Sequence, residues 1–245
     1  MKKIIMTMMA ALLMCSCLNA AQKTDVFTTK SGKEVKITCI KHASMRIQYD
    51  GLEIQVDPVT DAVKPVTDYA VFPKANIILV THEHHDHFDR EAIGILRSSI
   101  TCTYVTPSIY NHNFYSSTPL SNGDSVIFRQ DIKIEAVPAY NTTEGREQFH
   151  PKGRDNGYVL TLDGLRIYIA GDTEDIPEMA ALKDIDIAFL PCNQPYTMTI
   201  DQLVSAAKRI NPKVLFPYHY GSTGILQVVL KLRDTGIDVR IRDYK

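Results

Sequence analysis

The 245-residue chain has little with which to stitch itself together, cross a bilayer or bind a polyanion. It has five cysteines, and two of them, Cys15 and Cys17, lie in the leading stretch. The other three, Cys39, Cys102 and Cys192, are widely spaced, so neither a disulfide framework nor a zinc knuckle is expected. Neither charge sign dominates: 27 Lys and Arg face 28 Asp and Glu, a formal net charge of −1. A nucleic-acid binder needs a basic face, so no nucleic-acid partner is expected. The apolar stretch Ile4 to Leu13, after the basic Met1-Lys2-Lys3, is too short for a spanning helix and reads as a signal-peptide core.

Two processing routes are open. Leu18-Asn19-Ala20 resembles a small-residue cleavage site ahead of Ala21. Met14-Cys15-Ser16-Cys17 is a loose lipobox-like end, with Cys17 as the residue that would carry a lipid anchor. The expectation is a signal peptide over residues 1–20 and export to the periplasm or envelope of a bacterium, free or anchored. Removing residues 1–20 takes Lys2 and Lys3 and no acid, which leaves 25 basic and 28 acidic side chains, a net of −3. Residues 21–245 suit a single domain with a sizeable core, or two small similar halves packed together.

What the chain does have is concentrated in Thr81-His82-Glu83-His84-His85-Asp86-His87, where four imidazoles and two carboxylates fall within seven residues. Asn76-Ile77-Ile78-Leu79-Val80, just before it, is apolar and β-branched and reads as a buried strand. After it, Asp89 is a candidate N-cap for a helix over Asp89 to Ser98. The cluster thus sits where a buried strand turns into a helix. His82 and His84 are two apart and can share one cation, while Asp86 and His87 can turn toward a second. Imidazole nitrogen with some carboxylate oxygen suits zinc, and also manganese or iron.

This His-x-His-x-Asp-His pattern after a strand resembles the signature of the metallo-β-lactamase superfamily. Asp57-Pro58, Gly171-Asp172-Thr173 and Pro217-Tyr218-His219-Tyr220-Gly221, in that order, resemble the branch of metal-dependent hydrolases that includes the ascorbate-phosphate lactonases. The likeness runs from about Val35 to the end. With strand-rich runs followed by helices in each half, it implies an α/β fold: an αβ/βα sandwich of two mixed β-sheets, helices on the outer faces, metals along one edge. It further implies that Asp172 bridges two metals and that His219 completes the second site with Asp86 and His87. Asp57 would orient a ligand histidine from behind. His84, where the di-iron redox members carry Glu, favours zinc, in one or two ions, or manganese.

In one place the pattern departs from the family. Asn141 stands where most of the superfamily supplies the third histidine of the first metal. His150, nine residues on in a long loop without strand or helix pattern, is the other candidate, as ligand, general acid or substrate contact. Tyr140, Asn141, Asn193 and Tyr196 are candidate substrate contacts. Cys192 has no base beside it in sequence and is not read as a nucleophile. His42 is read as a surface or structural histidine, and Pro138 as the end of a hairpin.

The function implied is hydrolysis of a small ester, lactone or phosphoester by metal-bound hydroxide, with Asp86 orienting the water and moving a proton. A β-lactam suits an exported enzyme, although the pattern is not closest to the lactamases. The alternative is a non-catalytic metal- or ligand-binding envelope protein whose site Asn141 has weakened. The partner in either case is a small molecule, and oligomeric state is not encoded legibly.

Overall fold

A computed structural model describes residues 24–243; the expected signal peptide and Cys17 lie outside the described residues. Two seven-stranded sheets each follow chain order. The first is built from β1 (Thr24–Thr28), β2 (Glu34–Lys41), β3 (Ser44–Tyr49), β4 (Leu52–Val56), β5 (Ile77–Leu79), β6 (Cys102–Val105) and β7 (Thr118–Pro119). Helix α1 (Arg90–Leu96) links β5 to β6, and α2 (Pro107–Asn111) links β6 to β7. The second sheet runs through β8 (Ser125–Arg129), β9 (Ile132–Ala139), β10 (Asp155–Leu162), β11 (Leu165–Ile169), β12 (Ile187–Pro191), β13 (Val214–Tyr218) and β14 (Asp238–Val239). Helix α3 (Ile200–Ile210) follows β12, and α4 (Leu226–Leu232) follows β13.

Each sheet is mixed in the same way. Its first four strands pair antiparallel and its last four parallel, so the halves repeat one plan, as the sequence led us to expect. The apolar run at β5 follows from this arrangement. Ile77 and Leu79 point into the core shared with the second sheet, while Ile78 and Val80 point outward to a second cluster with Ala92, Ile93 and Leu96 of α1. A strand covered on both faces has no polar side to show. Phe189 stacks at 4.8 Å on Phe216 of the neighbouring strand, and Phe27 of the first sheet meets Phe216 edge-on across the core.

Strand parity decides which loops reach the site. The β3–β4 and β10–β11 turns, Asp50-Gly51 and Asp163-Gly164, lie at one end of the sandwich. Both residues of each turn have positive φ, as the tight hairpins favoured by Asp-Gly require. The C-terminal ends of β4, β5, β11, β12 and β13 lie at the other end, together with the β2–β3 turn and the β9–β10 connection.

One strand had no counterpart in the sequence reading, and one sequence expectation needs correcting. Thr24 to Thr28 is an edge strand paired with β2. Its Asp25 is buried against Arg240 at 2.9 Å and Arg242 at 2.8 Å, a pairing of residues more than two hundred positions apart. Pro138 does not end its strand, because β9 runs on to Ala139 and pairs there with Asp155. The pairing of β8 with β9 stops at Glu135, so the missing proline N–H interrupts no ladder bond on that side.

Candidate metal centre

The site begins where two parallel strands end together. Asp57, at the end of β4, accepts from the Thr81 N–H at 2.8 Å and the Thr81 hydroxyl at 2.7 Å. Its Oδ2 also lies 2.8 Å from His87 Nδ1. With a carboxylate as acceptor, Nδ1 is the donor, which leaves His87 Nε2 directed at the cleft. The chain then folds back, since both His87 N and Phe88 N donate to His84 O. This fold brings His82 Nε2 to 3.1 Å from His84 Nδ1. Asp89 caps α1 as expected, accepting from the backbone of Glu91 and Ala92.

The second sheet contributes Asp172 after β11, His219 after β13 and His150 from the β9–β10 connection. Gly171, at φ +67°, follows β11; a Cβ there would lie 2.7 Å from Asn156 O and 3.2 Å from Thr81 Cβ. Only glycine lets the two sheets approach this closely, and that approach carries Asp172 into the first sheet's cluster. Asp172 is the hub. Its carboxylate oxygens lie 3.4 Å from His87 Nε2, 3.9 Å from His82 Nε2, 3.3 Å from His219 Nε2 and 3.5 Å from His150 Nε2. Asp86 Oδ2 lies 3.7 Å from His219 Nε2 and 3.9 Å from His87 Nε2. Groups separated by up to 137 positions in the chain thus converge on one small space.

His150 fills the third-imidazole position that the sequence left between it and Asn141. Its Nδ1 is held by Asp155 at 2.9 Å, and Arg154 braces Asp155 with two hydrogen bonds. Asn141 instead ties two loops together, its amide donating to Tyr196 O at 2.7 Å and Arg146 O at 3.3 Å. Tyr140 points away from the centre, its hydroxyl bonded to Glu178 and Lys152. Tyr196 is exposed and meets Phe149 edge-on at 5.0 Å, so the β9–β10 loop and the loop after β12 form one aromatic wall. Asn193 packs beside Gly221, next to His219. Cys192 is buried, and that burial pushes its thiol up to about 12, which agrees with an inert role.

The sequence reading missed His42. It lies in the β2–β3 turn, with Nε2 3.0 Å from Asp86 Oδ2 and its ring 3.7 Å from that of His219. Strand parity was the available signal, because that turn must fall at the same end as the strand ends that carry the motif.

Burial dominates the electrostatics. It pushes His82 well below its ordinary value, with His87 adding to the effect. It pushes His42 down to about 4 in spite of Asp86. At His87 and His219 burial is outweighed by Asp172, assisted by Asp57 and Asp86 respectively, so His87 is raised well above its ordinary value and His219 to about 9. Burial also works against charge on Asp172 and Asp86, but their histidine neighbours overcome it and hold both carboxyls low. Several polar atoms are buried with no hydrogen-bond partner: His87 Nε2, Asp172 Oδ1 and both ring nitrogens of His219. Unpartnered buried donors and acceptors are costly, and a cation drawn to these nitrogens and oxygens would satisfy them. Three sets of possible ligands have atoms within 4.8 Å of one another: His82, His84 and His150; His82, His87 and Asp172; and His42, Asp86, His87 and His219. The donor set therefore fits one or two divalent cations.

A family model described as a β-lactamase superfamily domain matches residues 36–219. A crystal structure of a provisionally named metal-dependent hydrolase from Parabacteroides distasonis is similar to this chain at 55% identity and a TM-score of 0.87, covering 91% of this chain and 99% of that one. A metallo hydrolase from the hyperthermophilic archaeon Ignicoccus hospitalis is similar at 25% identity and a TM-score of 0.71, over 85% of this chain and 95% of that one. A protein from Ligilactobacillus salivarius, named as a metal-dependent hydrolase, is 32% identical over 194 residues, 77% of this chain and 86% of the relative.

Proposed function

We propose, from the premise that this chain belongs to the metallo-β-lactamase superfamily of metal-dependent hydrolases, that it hydrolyses a small ester, lactone or phosphoester with zinc or manganese as its cation. One observation carries the reading: imidazoles and carboxylates from both sheets meet around Asp172, and several of their ligand atoms are buried without partners. His82, His84 and His150 would hold one cation and Asp86, His87 and His219 a second, with Asp172 between them. Such cations, when bound, lower the pKa of water toward neutrality and polarise the oxygen of the group under attack.

The chain's own residues do the rest. Asp57 and Asp155 fix the rings of His87 and His150 from behind, so each presents Nε2 to the cleft. The Asp86 side chain is 25% exposed, whereas Asp172 is almost fully buried. Asp86 is therefore the carboxylate open to the cleft, placed to take a proton from the attacking water and return it to the leaving oxygen. Phe149 and Tyr196 wall the entrance and would pack against the apolar part of a substrate. The ground for a non-catalytic alternative was Asn141 in a ligand's place; the closeness of His150 to His82 and His84 supports the catalytic reading instead.

Metal analysis of the purified chain, paired with a panel of lactones, phosphodiesters and β-lactams, tests the reading. We expect zinc or manganese to co-purify, turnover on at least one lactone, ester or phosphoester, and collapse of that turnover in Asp86→Ala. A chain that carries no such metal and does not respond to added zinc, manganese or iron overturns it. Export to the bacterial envelope, with Cys17 as a candidate lipid anchor, is proposed from the basic and apolar pattern of residues 1–20. The N-terminal mass of the protein recovered from its native cells tests this, since an intact Met1 would contradict it.

A further inference from the structure

His42 lies outside the histidine motif, yet it touches the centre on three sides. Its Nε2 is 3.0 Å from Asp86 Oδ2, while the imidazoles of His219 and His87 lie 3.7 and 3.9 Å from that same oxygen. Its ring lies against His219, with centroids 3.7 Å apart, and meets His87 edge-on at 5.6 Å. Its backbone carbonyl accepts the His219 N–H at 3.2 Å.

The turn that carries His42 is itself anchored. Lys41, fully buried, donates to the carbonyls of Thr60, Val63 and Pro65 at 2.6 to 2.9 Å. The Ser44 hydroxyl donates to Asp57 O at 2.5 Å. His42 and His219 have φ of 50° and 47°, a region that non-glycine residues enter rarely and that tends to persist at functional sites. Both residues are thus held in unusual backbone conformations that bring their rings together.

We propose that His42 is a positioning residue whose ring N–H holds the Asp86 carboxylate in place for the cation shared with His87 and His219. The proposal rests on the metal-centre reading above. A carboxylate can only accept, so the ring nitrogen facing it is the donor. That engagement is what separates His42 from the ligands: His87 Nε2 and His219 Nε2 are buried without partners, whereas His42 Nε2 already has one in Asp86. A further argument is coordination number. Asp86, His87, His219 and Asp172 already supply four ligand groups, as many protein ligands as zinc ordinarily takes, so His42 is not needed as a fifth. Asp86 is the most exposed of these groups and has rotatable bonds of its own, so without His42 it would be free to swing into solvent.

The test is zinc titration of the full purified chain, stripped of metal, against a chromophoric chelator, in wild type, His42→Ala, His42→Gln, Asp86→Asn and the double variant of His42→Ala with Asp86→Asn. We expect wild type to take two equivalents. His42→Ala should keep the tighter-held partner site and weaken the other by about ten- to a hundredfold, the usual cost of losing a group that orients a ligand. Asp86→Asn should weaken the same equivalent, and the double variant should lose little more than Asp86→Asn alone, because the two residues act as one unit. His42→Gln, whose side-chain amide N–H can occupy the place of the ring donor, should recover most of the loss. Unchanged titration in His42→Ala overturns the proposal. So does equal weakening of both equivalents together with a lowered melting temperature of the metal-free form, since that is the signature of a packing role. A wild-type chain that takes fewer than two equivalents would instead overturn the metal pair itself, and is read without any variant.

Discussion

The two ends of the sandwich use the same residues for opposite purposes. At one end Asp50 and Asp163 adopt positive φ in Asp-Gly turns, and their carboxylates face solvent with Lys33, Arg129 and Ser31 as partners. At the other end Asp57 also adopts positive φ after a strand, but it is fully buried and its oxygens hold Thr81 and His87. The conformation is similar, and burial sets the difference. An aspartate in water only shapes a turn, whereas a buried one must be fully satisfied and so dictates the orientation of whatever satisfies it. Positive φ at His42 and His219, neither of them in an Asp-Gly turn, belongs to the buried end as well.

The sharpest way to break this comparison is at its hub. Asp172→Ala should lower turnover by about a thousandfold or more, because on the proposed reading the cations would lose the carboxylate placed between them and the activated water with it. Metal content and hydrolysis of the best substrate measure it; retained metal with retained activity would mean the buried end is no metal site. His150→Ala should come next, weakening one equivalent of metal by at least about a hundredfold. Asn141→Ala, by contrast, should leave metal affinity unchanged and loosen only the loop that it ties to Tyr196. Chelator competition on the two variants side by side decides between them.

Asp57→Asn should weaken metal binding by about ten- to a hundredfold while leaving every ligand in place, because His87 loses the charge that fixes its tautomer. The pH dependence of the metal-free protein follows from His219, raised to about 9 from 6.5 by Asp172 and Asp86 against the effect of burial. A raised folded value means the native state holds the proton more tightly. The stabilisation is therefore fully present below about 6.5 and is lost as pH rises through about 9. Thermal melts across that window should show stability falling, and His219→Gln should flatten the trend. At the solvent end the expected effect is smallest. Asp50→Asn keeps a residue suited to the turn and should move the melting temperature by no more than about 2 °C. A large fall there would erase the distinction between the two ends.

Several parts of the site were legible for a local reason. Four of the candidate ligands, His82, His84, Asp86 and His87, lie within one seven-residue segment, and the buried strand before it announces itself by composition. The Asp-Gly hairpins and the N-cap at Asp89 are equally local signals, and all three stand where the sequence puts them. His150 stayed undecided against Asn141 because the loop between them has no period to project from, and only Asp155 and Arg154 fix its direction. β1 carries no local strand signal, since its Asp25 is polar and the arginines that neutralise that charge lie at the far end of the chain. His42 was set aside because it was read alone, and only the count of strands between its turn and the histidine motif shows that the two fall at the same end.

The sequence by itself determined the donor types and the strand-to-helix turn that gathers His82, His84, Asp86 and His87, because these are written in neighbouring residues, while the plan of two mixed sheets came from the family resemblance that those residues carry. Tertiary structure alone decided which imidazole stands with His82 and His84, which carboxylate is open to the cleft, and how near His42 comes to Asp86. Those outcomes depend on two sheets closing to the contact that Gly171 permits, and on burial acting on charges from distant segments at once, quantities that no single stretch of chain contains.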